Sequence, residues 1–155
     1  MFVDVVNVTS AADMADVVKS KAAEQDIIIM TAAVADFCPS HPADEKIKKN
    51  DSSYEAVIEL ERTEDILSYL GAHKAKGQLI CGFSMETQNM LENSKAKLAK
   101  KNADMIVANN LKVAGAGFGT DTNVVTLITA DDCTELEIMD KSCVAARIMD
   151  RLLQM

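Results

Sequence analysis

Three stretches of this chain carry residue types from which a phosphate- and base-binding site can be made. The first runs from Ala32-Ala33-Val34-Ala35-Asp36-Phe37 to Glu45-Lys46-Ile47-Lys48-Lys49. Small side chains let a ligand approach the backbone, whose N–H and C=O groups can read the edge of a base; an Asp there can share a metal ion held by phosphates, and the lysines supply mobile cations. A small-residue strand packed on a helix, followed by a solvated basic loop, accounts for the same residues. The second stretch is Gly82-Phe83-Ser84-Met85-Glu86-Thr87, leading into a segment with Lys95, Lys97, Lys100 and Lys101. Phe83 can stack on a base or ribose, or simply fill a core. Lys97 and Lys101 are four apart and share a helix face, which a solvated face also explains. The third is Val107-Ala108-Asn109-Asn110 with Gly115, Gly117 and Gly119 behind it. Its glycine spacing is wrong for a dinucleotide fingerprint, and a strand follows where that fingerprint needs a helix.

Other chemistries are excluded on residue grounds. There is no Walker lysine motif and no Ser-His-Asp set, and neither His41 nor His73 has a partner in the sequence pattern. Cys38, Cys81, Cys133 and Cys143 lack metal-ligand spacing and read as structural or incidental.

The elements that must position these residues alternate. A strand is predicted over Phe2 to Thr9, then a helix capped by Ser10 with Asp13 three residues on, then a buried strand over Ile27 to Ala35. The pattern repeats as helix Glu64 to His73 before strand Leu79 to Phe83, and helix Gln88 to Lys101 before strand Asp104 to Ala108. Such alternation implies an α/β fold, a mostly parallel open sheet with helices on both faces. A hairpin excursion is predicted from Ile47 to Lys49 and Tyr54 to Leu60. Val124 to Thr129 and Glu135 to Ile138 form two further strands around Asp131-Asp132, and Ser142 caps a last helix carrying Val144, Ile148 and Leu152. Active sites of open parallel sheets lie beyond the carboxyl ends of the strands, where all three stretches fall.

The 155 residues suit one domain spanning 1–155, with 48% apolar and 26% charged residues. A net charge of -8 repels nucleic acid and anionic membranes unless the lysines are gathered. The longest apolar stretch, Ile27 to Ala35, is far below the ~20 residues that span a bilayer. A cytoplasmic protein, with neither nucleic acid nor membrane as partner, is the expectation.

Taken in order, several motifs carry a resemblance. They are Ala32 to Phe37, Lys46-Ile47-Lys48-Lys49, Asp65-Ile66-Leu67, Gly82 to Thr87, Lys97 to Lys101, Asp104 to Asn110, and Gly117-Phe118-Gly119-Thr120-Asp121-Thr122-Asn123. Together, and with Val8 to Met14 ahead of them, the chain resembles the C-terminal portion of phosphopantothenoylcysteine synthetase. The resemblance implies a Rossmann-like homodimer that joins 4'-phosphopantothenate to cysteine in coenzyme A biosynthesis. The carboxylate attacks the α-phosphate of CTP, releasing pyrophosphate and giving an acyl-cytidylate, and the cysteine amine then displaces CMP. It further implies Mg²⁺, fusion or association with an FMN-dependent decarboxylase flavoprotein, and no FMN on this chain itself.

By motif position the resemblance places Met30, Thr31 and Ala32 along the cytosine and ribose, and Asp36 on the nucleotide or its metal. Lys46 is the catalytic residue, on a loop closing over the triphosphate. Glu64, Asp65, Ile66 and Leu67 sit near the base, Phe83 lines the pocket, and Lys97 and Lys101 bind phosphates. Thr63-Glu64 stands where the family usually shows Asn-Pro. The family also opens with a glycine-rich segment and an Asn serving the acyl-cytidylate step, on the order of 70 residues that are not in this sequence. The expectation is therefore an N-terminally truncated ligase domain, inactive alone. The rival reading is a domain that binds a nucleotide or a partner without turnover.

Overall fold

The computed structural model describes residues 2–43, 45–46, 57–86, 89–110 and 119–155. In chain order the elements are α1 (Ala11–Ala22), β1 (Ile27–Met30), β2 (Phe37–Pro39), β3 (Leu60–Arg62), α2 (Ile66–Ala72), β4 (Leu79–Glu86) and α3 (Met90–Lys101). They continue with β5 (Met105–Asn110), β6 (Thr122–Asn123), β7 (Val125–Ile128), β8 (Cys133–Glu135), β9 (Met139–Asp140) and α4 (Lys141–Leu152).

The main sheet has the order β1-β4-β5-β7-β8. β1, β4 and β5 run parallel, with Met30 level with Gly82 and Phe83 level with Val107. β7 pairs antiparallel with β5, and β8 antiparallel with β7, so the parallel α/β half carries an antiparallel hairpin on one side. Strand alternation divides the apolar residues between two faces. On one, Cys81, Met105, Val107, Val125 and Leu127 pack with Val144, Ile148 and Leu152, the predicted stripe of α4. On the other, Ile80 packs with Ala15 of α1 and with Ile66 and Leu70 of α2. Ser84 of β4 meets Ser94 of α3 on that second side, hydroxyl to hydroxyl at 2.9 Å, and both side chains are buried. Helices therefore cover both faces. None of the described helices is long and apolar enough to cross a membrane.

Local chemistry explains the helix ends. Ser10 and Asp13 form the predicted capping box: the Asp13 amide donates to Ser10 Oγ at 3.1 Å, and the Ser10 amide to Asp13 Oδ2 at 2.9 Å. α2 starts after Asp65, whose Oδ1 accepts from the Ser68 amide at 3.0 Å. α3 ends at Asn102, where φ of 48° turns the chain sharply. There the Lys101 carbonyl approaches α2 so closely that a Cβ on Gly71 would lie 1.8 Å from its oxygen.

Several expectations need correction. Phe2–Thr9 is not a strand: it makes no ladder, and Phe2, Val3 and Val5 are exposed. Its apolar content suits a strand, but a strand requires a neighbour to pair with, and β1 pairs only with β4 among the described residues. β1 stops at Met30 rather than Ala35, because β4 beyond Gly82 pairs with β5 alone. Ser142 does not cap α4; Asp140 holds that position and Ser142 lies inside the first turn. The excursion exists, but its paired stem is β2 with β3, where Phe37 faces Arg62 and Pro39 faces Leu60. The arm expected at Ile47 to Lys49, and Tyr54 to Ala56 of the other, lie outside the described residues, while Val57 to Glu59 are not strand.

Candidate functional site

β1 ends at Met30, level with Gly82 of the longer β4, and a cleft of about 180 Å³ opens where the chain leaves β1. The segment leaving β1 contributes Met30, Ala32, Val34, Ala35 and Asp36; that between β3 and α2 contributes Thr63, Glu64, Asp65, Ile66 and Leu67. Phe83 enters from β4, and Lys97 and Lys101 from one face of α3. Residues spread over more than seventy positions thus converge. Two candidates stand apart: Thr31 is exposed and does not line the cleft, and neither does Lys46, which is exposed on the excursion between β2 and β3.

The two ends of the excursion are tied together at the cleft wall. The Thr63 amide donates to the Asp36 carbonyl at 3.0 Å, and the Thr63 hydroxyl donates to the Ala35 carbonyl. Thr63, at the first of the two positions where the sequence departs from the Asn-Pro pattern, therefore holds Ala35 and Asp36 against the start of α2. Gly82 supplies the space opposite: a Cβ there would meet Leu67 Cδ2 at 2.6 Å and Ile106 Cδ1 at 3.2 Å. Lacking one, it lets α2 settle onto β4 at the cleft floor.

The cations are fixed in place. Lys97 Nζ donates to the Phe83 carbonyl at 2.9 Å. Lys101 Nζ pairs with Asp65 Oδ2 and donates to Ser68 Oγ at 2.9 Å, with its side chain only 13% exposed. Burial pushes the Asp65 carboxyl upward, but the hydrogen bonds from Lys101 and the Ser68 amide, with the Lys101 charge, outweigh it and hold the group below the usual aspartate range. Glu64 pairs with Lys19 of α1, whose ammonium also sits 4.9 Å from the Tyr69 ring centroid. Each acid at the start of α2 is thus matched by a lysine from another helix.

A metal ion would find Asp36, an exposed carboxylate on the cleft wall. Among the described residues no group of three or more His, Cys, Asp or Glu side chains could hold an ion. One carboxylate with no protein cage suits a hard divalent ion that keeps most of its coordination to phosphate oxygens and water, as Mg²⁺ does.

Sequence reasoning gives no role to Thr63, Ser68 or Lys19, while Val34 and Ala35, members of the small-residue stretch it singles out, line the cleft with Asp36. Ser68 was signalled by its place three residues after Asp65, the spacing of an N-cap partner. Nothing local marks Lys19, which reaches Glu64 across 45 residues.

Comparison with known proteins agrees with this architecture. The model of the DNA/pantothenate metabolism flavoprotein C-terminal domain matches residues 1–155. The coenzyme A biosynthesis bifunctional protein CoaBC of Bacillus subtilis (strain 168) is 48% identical over 146 residues, covering 94% of this chain and 35% of that protein. A cysteine/cysteine sulfinic acid decarboxylase from an unknown prokaryotic organism is 45% identical over 152 residues, covering 97% of this chain and 42% of that protein. The crystal structure of the C-terminal domain of a CoaBC superposes with a TM-score of 0.76 at 41% identity, covering 96% of this chain and 66% of the other. The chain thus spans less than half the length of these two curated relatives. By a match along its whole length, and by a sheet shared with the CoaBC C-terminal domain, the chain belongs to the DNA/pantothenate metabolism flavoprotein C-terminal domain family.

Proposed function

We propose that this domain binds CTP in the β1–β4 cleft and serves the CTP-dependent ligation of 4'-phosphopantothenate to cysteine in coenzyme A biosynthesis. The observation that carries the reading is the convergence of Asp36, Phe83, Lys97 and Lys101 on one cleft at the carboxyl ends of parallel strands. Met30 to Ala32 would lie along the nucleoside, with Ile66 and Leu67 as the opposite apolar wall, and Phe83 would stack. Lys97 and Lys101 would hold phosphates, Asp36 would share Mg²⁺ with them, and Lys46 would reach the triphosphate from the excursion. Attack of a carboxylate on the α-phosphate collects charge on the transferring group and on the departing pyrophosphate, so fixed ammonium groups supply what the step needs, which is charge stabilisation and positioning. The homodimer and the cytoplasmic setting implied by the resemblance go with this reading; sedimentation of the purified protein tests the former.

The test is calorimetry with CTP, CMP, ATP and FMN, with and without Mg²⁺. CTP should bind much more tightly than CMP, the difference should shrink as salt screens the lysines, and FMN should not compete. Equal affinity for CTP and CMP would refute the phosphate role of Lys97 and Lys101. The second reading is a domain that binds a nucleotide or a partner without turnover, on a chain that spans 42% and 35% of the length of two curated relatives. Pyrophosphate release from CTP and phosphopantothenate separates the two.

A further inference from the structure

The two cleft lysines are held in chemically different ways. Lys97 rests on a neutral group, the Phe83 carbonyl at 2.9 Å, and keeps its full charge toward the cleft. Lys101 is paired with a carboxylate, Asp65. A carboxylate in contact with an ammonium cancels most of the field that the ammonium projects on an approaching anion. Of two lysines on one helix face, only Lys97 is therefore immediately available to phosphate.

Resting on the reading of the cleft as a polyphosphate site, we propose that Asp65 is a built-in competitor for Lys101: it sets how tightly the cleft holds polyphosphate, and reclaims the ammonium when an anionic product leaves. The geometry favours competition over simple anchoring. Asp65 is fixed independently of Lys101, because its Oδ1 accepts from the Ser68 amide at 3.0 Å as the cap of α2. Lys101 does not depend on Asp65 for its position, because its nearly buried stem and the Ser68 hydroxyl at 2.9 Å both hold it. The Asp65 side chain is 51% exposed, so its charge stands at the cleft surface where the phosphates would come. A bound polyphosphate would have to draw Lys101 from Asp65 while being repelled by it. A cleft that must release pyrophosphate after each turnover gains from such a counterweight, since two unopposed lysines would retain the product.

The experiment is titration calorimetry of the chain with CTP, inorganic pyrophosphate and neutral cytidine, for the unaltered protein and for Asp65→Asn, Asp65→Ser and Ser68→Ala. Asn and Ser cap helices about as well as Asp, so both Asp65 variants keep the start of α2, and melting temperatures check this. Removing the competitor should tighten CTP and pyrophosphate about two- to fivefold, the scale of a half-exposed ion pair. Cytidine, lacking phosphate, should bind unchanged. Ser68→Ala, which loosens Lys101 without removing charge, should shift the phosphate affinities in the opposite direction. Weaker pyrophosphate binding in both Asp65 variants would overturn the proposal and make Asp65 an anchor. A parallel loss for cytidine would overturn it too, by showing that the α2 wall had moved. Failure of the unaltered protein to bind either CTP or pyrophosphate would refute the cleft reading itself, and the competitor with it.

Discussion

Replacing Gly71 by alanine tests how far the site depends on the contact between α2 and α3. A Cβ at this position would stand 1.8 Å from the Lys101 carbonyl oxygen, 2.8 Å from its carbon and 3.2 Å from Asn102 Cβ. The first two are backbone atoms, so no rotamer change relieves them and one helix must retreat by roughly 1.5 Å to reach ordinary van der Waals separation. Two effects compete. Alanine is the better helix former by about 1 kcal/mol. Against it stand overpacking, typically about 1–3 kcal/mol, and strain on the bond from Asn102 Nδ2 to the Gly71 carbonyl, 2.7 Å long and worth about 1 kcal/mol. Because the collision is with backbone, the upper part of the overpacking range applies, and the net loss should be about 2 kcal/mol. For a chain of this size that lowers the melting temperature by roughly 4–8 °C. The retreat also carries Lys101 away from both Asp65 and Ser68, whose effects on phosphate binding oppose each other, so the loss of stability is the diagnostic quantity. Urea denaturation and thermal melts on the same sample measure it. A melting temperature equal to or above that of the unaltered protein would refute the reasoning, since it would mean that helix propensity outweighs the collision.

Other outcomes follow from the same geometry. Lys46→Gln, at an exposed position, should change stability by less than about 0.5 kcal/mol but slow turnover in a ligase-competent protein carrying this domain; an unchanged rate would remove Lys46 from the chemistry. Gly82→Ala should bind CTP more weakly with only a modest fall in melting temperature, because the added methyl meets the mobile end of Leu67, a cleft wall, rather than backbone; thermal melts and calorimetry decide it. Asp13, held low by the hydrogen bonds from Ser10 and Thr9, stabilises the fold above the ordinary aspartate range, and that contribution is lost as pH falls through the depressed value. Asp13→Asn should therefore flatten the loss of stability in acid below roughly pH 4, measured by denaturation across pH.

The sequence was informative where chemistry is local or periodic. The capping box, the apolar stripe of α4 and the buried runs of β4 and β5 are written in spacings of two to four residues, and they were found. So was most of the cleft, because small residues and an Asp fell at the exit of a recognisable strand and paired lysines on one face of a recognisable helix. What failed was whatever depends on a distant partner. Phe2 to Thr9 has a strand's composition without a neighbouring strand, and Ile27 to Ala35 leaves the sheet after Met30, the last residue that pairs with β4. The Lys101–Asp65 and Lys19–Glu64 pairs span 36 and 45 residues and leave no local trace. Gly71 reads as an unfavourable glycine inside a helix until the α3 terminus is placed against it.

The hydroxyl pair of Ser84 and Ser94 carries a consequence for how this domain can vary over time. Each hydroxyl is buried and is the other's partner at 2.9 Å, so changing one to alanine strands the other without water, at a cost of about 1–3 kcal/mol. Changing both leaves two methyl groups in contact and is close to neutral. A lineage can cross between the two states only through a destabilised intermediate. Among descendants of this domain the two positions should therefore be polar together or apolar together, with mixed pairs rare and accompanied by compensating changes nearby. The first turns of α3 would then keep their register on β4 by a linked inheritance of two positions ten residues apart.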